Sequence, residues 1–179
     1  MTGRLPIPRI VPGDEAVLEQ RARALASTAE PGEVDAERLL RLVAFRLRGA
    51  ACAVESAVVA RAVVLSAPLA IPVADGSERP VAYVEERPVP VADLAGAACG
   101  RARPASALSG APAVVVETPD GPVAVAVEGP LELAEDRLAA SAPQGGGEEV
   151  PRVAGRLGGG ADLVDARWLA AWAAKAVRP

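Results

Sequence analysis

Arg87-Pro88-Val89-Pro90-Val91-Ala92-Asp93-Leu94 is the stretch from which the fold is read. Valines alternate with prolines, so in an extended strand Val89 and Val91 share one face and Pro88 and Pro90 the other. Two prolines two residues apart remove two amide donors from the same side of that strand. Full pairing is then possible on one side only, which predicts an edge or a crossing between sheets. Asp93 stands where a helix N-cap belongs, and Leu94 to Cys99 reads as a short helical turn stopped by Gly100.

Working outward, apolar residues make up 51% of the 179-residue chain but aromatics only 2%, so Val, Ala and Leu must fill the core. Valine runs favour strands and alanines tight packing. Seventeen prolines and seventeen glycines predict short strands joined by many turns. Upstream, Val43, Phe45 and Leu47 alternate with Ala44, Arg46 and Arg48 as a half-buried strand. Gly49 turns it into a second strand over 51–54, and 58–65 continues as a third. A loop from Ser66 to Arg79, turned at Asp75-Gly76, leads back through Val81–Val84 to the proline strand.

Downstream, two valine-alanine runs flank Thr118-Pro119-Asp120-Gly121-Pro122 as a hairpin. Leu131-Glu132-Leu133 reads as a short strand, and 153–157 with 161–164 as a last hairpin about three glycines. Asp165 caps a terminal helix with Trp168, Leu169, Trp172 and Ala176 on one stripe. At the other end, a proline-rich tail over 1–12 precedes a helix from Asp14 to Ala29, and 33–40 is a further helical turn. Nine or ten short strands with two or three short helices describe a β-rich barrel-type fold.

Composition excludes several functions. The net charge of −4 offers no basic footprint for nucleic acid. The chain has no histidine, which removes the usual general base, the commonest metal ligand and any phosphohistidine relay. Cys52 and Cys99 alone cannot build a zinc site. Ser106 and Ser109 have no histidine to activate them, and Gly158-Gly159-Gly160 lacks the lysine of a phosphate loop. No cofactor, metal or catalytic residue is expected. With no leader-like apolar run and no stretch of about 20 apolar residues, the expected location is cytoplasmic, without membrane insertion.

Written V-x-P-V-x-D-L, the proline strand resembles that of the CheW-like family, the adaptor domain of bacterial chemosensory arrays. The family's opening F-x-L-x-G is matched by Phe45-Arg46-Leu47-Arg48-Gly49, its V-x-E by Val59-Ala60-Arg61, and an aliphatic-proline pair by Ile71-Pro72. The long motif ending in the proline strand aligns with Pro80 through Leu94, and the closing motif with Val164-Asp165 and Trp168-Leu169. The resemblance spans about residues 40–177. It implies a tail and helix over 1–39 and a CheW-like domain over 40–179. That domain is mainly β: two small five-stranded SH3-like barrels packed together, with short N- and C-terminal helices. It implies a non-catalytic adaptor whose partners are a chemoreceptor cytoplasmic tip and the regulatory domain of a CheA-type histidine kinase.

Two departures stand out. Arg61 replaces the family's acid, and Glu85-Glu86 replaces its Arg-Gly. Relaxed selection, a partner of complementary charge, or a register in which Arg87 is the family arginine would each account for them. The second leads to an alternative role, a divergent protein that binds a specialised partner and does not couple receptor to kinase. The candidate protein-binding residues are Val59, Arg61, Val63, Glu85, Glu86, Val89 and Val91. Each valine also has a plain reading as core, and each glutamate as a solvated surface charge.

Overall fold

The computed structural model describes residues 39–74, 76–139 and 151–178. The expected tail, the helix from Asp14 to Ala29 and the glycine loop around 144–149 lie outside the described residues. The strands are β1 (Leu39–Leu47), β2 (Ala50–Glu55), β3 (Val59–Val64), β4 (Leu69–Pro72), β5 (Glu78–Val84) and β6 (Arg87–Asp93). They continue with β7 (Pro112–Thr118), β8 (Gly121–Ala126), β9 (Glu128–Arg137), β10 (Val153–Arg156) and β11 (Asp162–Val164). Helices are α1 (Leu94–Ala98) and α2 (Ala166–Val177), with 3-10 turns at Ser56–Val58 and Ala105–Leu108.

These strands form two sheets, as a mainly β double-barrel reading requires. The first has the order β10-β11-β2-β1-β9. It curls until a Leu138–Leu157 bridge joins its ends, with Ala139 N–H donating to Arg156 O (2.8 Å) and Gly158 N–H to Arg137 O (2.9 Å). Leu40, Leu42, Leu138, Leu157 and Leu163 fill this small interior. The second sheet runs β3-β7-β8-β6-β5-β4. It has six strands rather than five, because β4 lies inside the stretch expected to be loop. Pro68 and Pro72 bracket that strand and hide it from a reading based on turn residues.

The largest core lies between the two sheets. On β7, Ala113 and Val115 point into the second barrel, while Val114 and Val116 point out against the first. On β8, Ala124 and Ala126 point inward and Val123 and Val125 outward. From the first sheet Val43, Phe45, Leu47 and Val54 meet them, with Leu94 of α1 and Leu169 and Ala173 of α2 completing the layer. Both faces of β7 and β8 are therefore buried, which is why they read as unbroken apolar runs. Alanine suits the cramped barrel interior and valine the wider gap between sheets.

Strand β6 is a crossing, one of the two arrangements its prolines predict. Residues 87–90 pair antiparallel with β5, and 91–93 pair parallel with β8. The β5–β6 hairpin closes with Val84 opposite Arg87, so Pro88 and Pro90 fall at the positions that need no bond to β5. The ladder to β8 begins only past the second proline, and no donor is missed.

Asp93 then caps α1, accepting from Gly96 N–H (2.9 Å) and Arg103 N–H (3.1 Å), while the Arg103 guanidinium grips it through Nε and Nη2. A Cβ on Gly96 would lie 2.0 Å from Asp93 Oδ2, so only glycine fits there. At α2, Asp165 accepts from Arg167 and Trp168 N–H (2.8 and 2.9 Å). The helix then crosses from the first barrel onto β6, β7 and β8 of the second. Trp168 and Trp172 stack at 6.0 Å and pack half-buried on the shared core. Arg79 donates to Val177 O, and Arg178 pairs with Asp120 at 2.9 Å.

Three boundaries differ from expectation. Leu39 and Leu40 belong to β1, not to a helical turn, because Leu40 enters the first barrel. The strand expected at 131–133 is the ten-residue β9, whose Gly129 and Pro130 mask its start. Valine and alanine runs ending at Glu128 divide into β8 and the beginning of β9.

Because the largest core is shared, the two barrels should unfold together. Leu169→Ala, at a fully buried position between them, should cost about 2–5 kcal/mol. Far-UV circular dichroism and the fluorescence of the neighbouring tryptophans should report one coincident denaturant transition. Two separated transitions would show that the barrels are independent.

Candidate functional site

Strands β3 and β5 lie in the same sheet, yet β3 and the upper end of β5 face each other across an open slot. A hollow of about 440 Å³ is lined by Ala60 to Leu65 on one side and Tyr83 to Glu85 on the other. Val64 and Tyr83 are 68% and 60% exposed beside it. Over its mouth, Arg61 Nη1 reaches Glu85 Oε1 at 2.5 Å. Both side chains are more than half exposed, so the pair is worth at most about 1 kcal/mol.

Glu85 and Glu86 are the two central residues of the β5–β6 turn, and not adjacent positions on a strand. Their φ values are 48° and 65°, in the left-handed region. Two-residue hairpins of this type ordinarily carry Asn-Gly or Asp-Gly, because a Cβ is crowded there. Carboxylates are thus held at the turn tip against the local backbone preference.

The structure brings Arg61, Val63 and Glu85 together around the slot, with Glu86 next to Glu85. Val59 and Val63 are half-buried, the first against the shared core and the second against the interior of the second barrel. Val89 and Val91 are each 3% exposed inside that barrel, which corrects their assignment as contact residues. The crossing of β6 turns the prolines outward and the valines in. Their side chains shape the wall of the barrel. Val64 and Tyr83 were missed as surface residues. The signal for Tyr83 was available, since it alternates out of phase with the buried Ala82 on β5.

A second hollow of about 500 Å³ lies where β3 and β7 approach the start of β9, between Val63, Val64, Pro112, Gly129 and Leu131. A third, of about 440 Å³, includes Glu78, Arg101, Arg103 and Trp172, but its Asp93 is already occupied by the cap and by Arg103. Among the described residues no polar or charged side chain is buried. No group of three His, Cys, Asp or Glu there could hold a metal ion. No helix among them is long and apolar enough to cross a membrane. Burial, followed by the charge of Asp162, pushes the Cys52 thiol up to about 11, while Cys99 is exposed at the end of α1.

No protein-family model and no curated protein matches the chain. Among solved structures it is similar to the scaffolding protein TtCheW from Thermoanaerobacter tengcongensis. The TM-score is 0.47 at 10% sequence identity, covering 76% of this chain and 90% of that one.

Replacing Glu86 with glycine should relieve the left-handed strain and stabilise the fold by about 0.5–1 kcal/mol, read from the urea midpoint. A loss of stability would mean that the carboxylate has a structural partner. Iodoacetamide at pH 8 should modify Cys99 in the native protein and spare Cys52 until unfolding, as read by mass spectrometry of the two peptides.

Proposed function

We propose that this chain is a non-catalytic adaptor of a bacterial chemosensory array, acting in the cytoplasm with residues 40–179 as a CheW-like domain and 1–39 as an attached tail. It would couple a chemoreceptor tip to a CheA-type histidine kinase by holding both in fixed geometry. Receptor conformation would then bias kinase activity through differential contact. Rigidity is what such a role needs, and the core shared between the barrels supports it, since close-packed interiors transmit displacement instead of absorbing it.

The observation that carries this reading is the contact between Arg61 and Glu85. At positions where the resembled family has an acid and an arginine, this chain has an arginine and an acid, and the two touch. The departures therefore form one compensated exchange across a single contact, which favours a maintained surface over a drifting one. That Glu85 and Glu86 form the turn tip while Arg87 begins β6 supports reading Glu85-Glu86 at the family's Arg-Gly positions.

The test is affinity purification of the tagged full chain from its native cell after crosslinking. Recovery of a chemoreceptor and a CheA-type kinase is expected. Arg61→Glu alone, which sets like charges against each other across the contact, should weaken capture several-fold, and the paired reversal Arg61→Glu with Glu85→Arg, which keeps the contact, should weaken it less. Recovery of neither partner would overturn the proposal. If the paired reversal created binding that the parent lacks, the chain would instead serve a different, specialised partner.

A further inference from the structure

Main-chain groups along the slot decide what fits it. Leu65 directs both of its main-chain groups to the β7 side, donating to Ala111 O (2.9 Å) and accepting from Gly110 N–H (2.8 Å). Pairing alternates along an antiparallel ladder, and the register sets Val63 opposite Ala113 and Val64 opposite Pro112. Val63 therefore also bonds toward β7. Ala62 and Val64 turn their N–H and C=O groups away, into the slot. The absence of an amide on Pro112 agrees with this register.

On the opposite wall the two-residue turn makes Val84–Arg87 a bonded pair, so Tyr83, opposite Pro88, directs its main-chain groups away from β6. Strand β4 begins opposite Val81 and does not reach Tyr83. The outward main-chain groups of Ala62 and Val64 thus line one wall of the slot and those of Tyr83 the other, with no strand between them among the described residues.

A strand occupies about 4.8 Å along the sheet, about 3.3 Å per residue and about 10 Å through it, so a hollow of about 440 Å³ holds roughly three extended residues. The other free edge, β4, is four residues long and bracketed by Pro68 and Pro72, a common protection against strand addition. Strand β3 has no proline. Of the charged residues lining the hollow, Arg61 and Glu85 pair with each other, while Glu86, beside Glu85 on the exposed turn and followed by Arg87, has no ion-pair partner among the described residues.

From this arrangement we propose that the slot between β3 and β5 accepts an extended segment of a partner protein as an added strand. The segment's apolar residues lie against Val64 and Tyr83, and a basic residue lies against Glu85-Glu86. The proposal rests on the adaptor reading only in that the occupant is a polypeptide. The Arg61–Glu85 pair is the clasp over the entry, and its exposure makes parting it cost little. Affinity comes from main-chain hydrogen bonds, and selectivity from the alternate side chains.

Hydrogen-exchange NMR on the full chain tests this with a capped hexapeptide of alternating valine and lysine. The amides of Ala62, Val64 and Tyr83 should slow at least tenfold at saturating peptide. The same peptide methylated on alternate backbone nitrogens should give no protection, and a valine–glutamate peptide should bind at least tenfold more weakly. Glu85→Lys combined with Glu86→Lys should reduce affinity for the basic peptide at least tenfold. Arg61→Ala, which removes the clasp and leaves the fold in place, should raise it.

Protection elsewhere, or equal binding of the methylated peptide, overturns the proposal. So does protection of the same three amides that rises with protein concentration without peptide, which would assign the slot to a second copy of this chain. The readout involves neither receptor nor kinase, so its failure and failure of the adaptor reading are separate results.

Discussion

Strands β7 and β8 are covered on both faces, and most other features of the fold follow from that. Their alternation sends alanine into one barrel and valine toward the other, so a single hairpin supplies the walls of two cores. With each buried valine worth about 1.5–3 kcal/mol, the layer between the sheets is a dominant apolar contribution. Neither barrel interior, lined largely by alanine in one case and by a handful of leucines in the other, is generous for its size. The scarcity of aromatic residues fits this design, because a layer between two twisted sheets is filled evenly by branched side chains of one size. Helix α2 extends the same layer, and its tryptophans lie at the margin instead of the centre.

Strand β6 connects this core to the candidate site. Its prolines are harmless because the strand changes partner beyond Pro90, and the same change turns Val89 and Val91 inward. Immediately before it, the tight turn raises Glu85 toward Arg61 on β3. Immediately after it, Asp93 anchors α1 and the Arg103 loop. One seven-residue strand thus sets the position of the slot on one side and of the helical cap on the other.

Much of this is legible in the sequence alone. The proline–valine alternation, the Asp93 and Asp165 caps, the Asp120-Gly121 turn and the alternation in β1 all rest on local chemistry that leaves a clear mark. What was lost is non-local. Whether Val89 is core or contact surface depends on which sheet crosses above it, and β4 exists only because β5 offers it an edge. The Glu85-Glu86 turn was opaque for a different reason. Glutamate seldom occupies left-handed backbone, so nothing in its side chain announces a turn, and only the pairing of Val84 with Arg87 imposes one. The meeting of Arg61 with Glu85 depends on that turn and was invisible with it.

The order of strands also bears on how the molecule is made. All of the second sheet, β3 through β8, lies in sequence between β2 and β9 of the first. Leu39 must find Arg137, and Cys52 must find Asp162, with the whole intervening barrel between them. During synthesis all six strands of the second sheet are available once β8 clears the ribosome, while the β1–β2 hairpin still lacks its neighbours β9 and β11. Leu40, Leu42 and Ala53, which fill the first barrel, would stay uncovered throughout that interval, since the strands that complete that barrel emerge late. The nascent hairpin is then the vulnerable species, and protection from chaperones would matter most for β1 and β2.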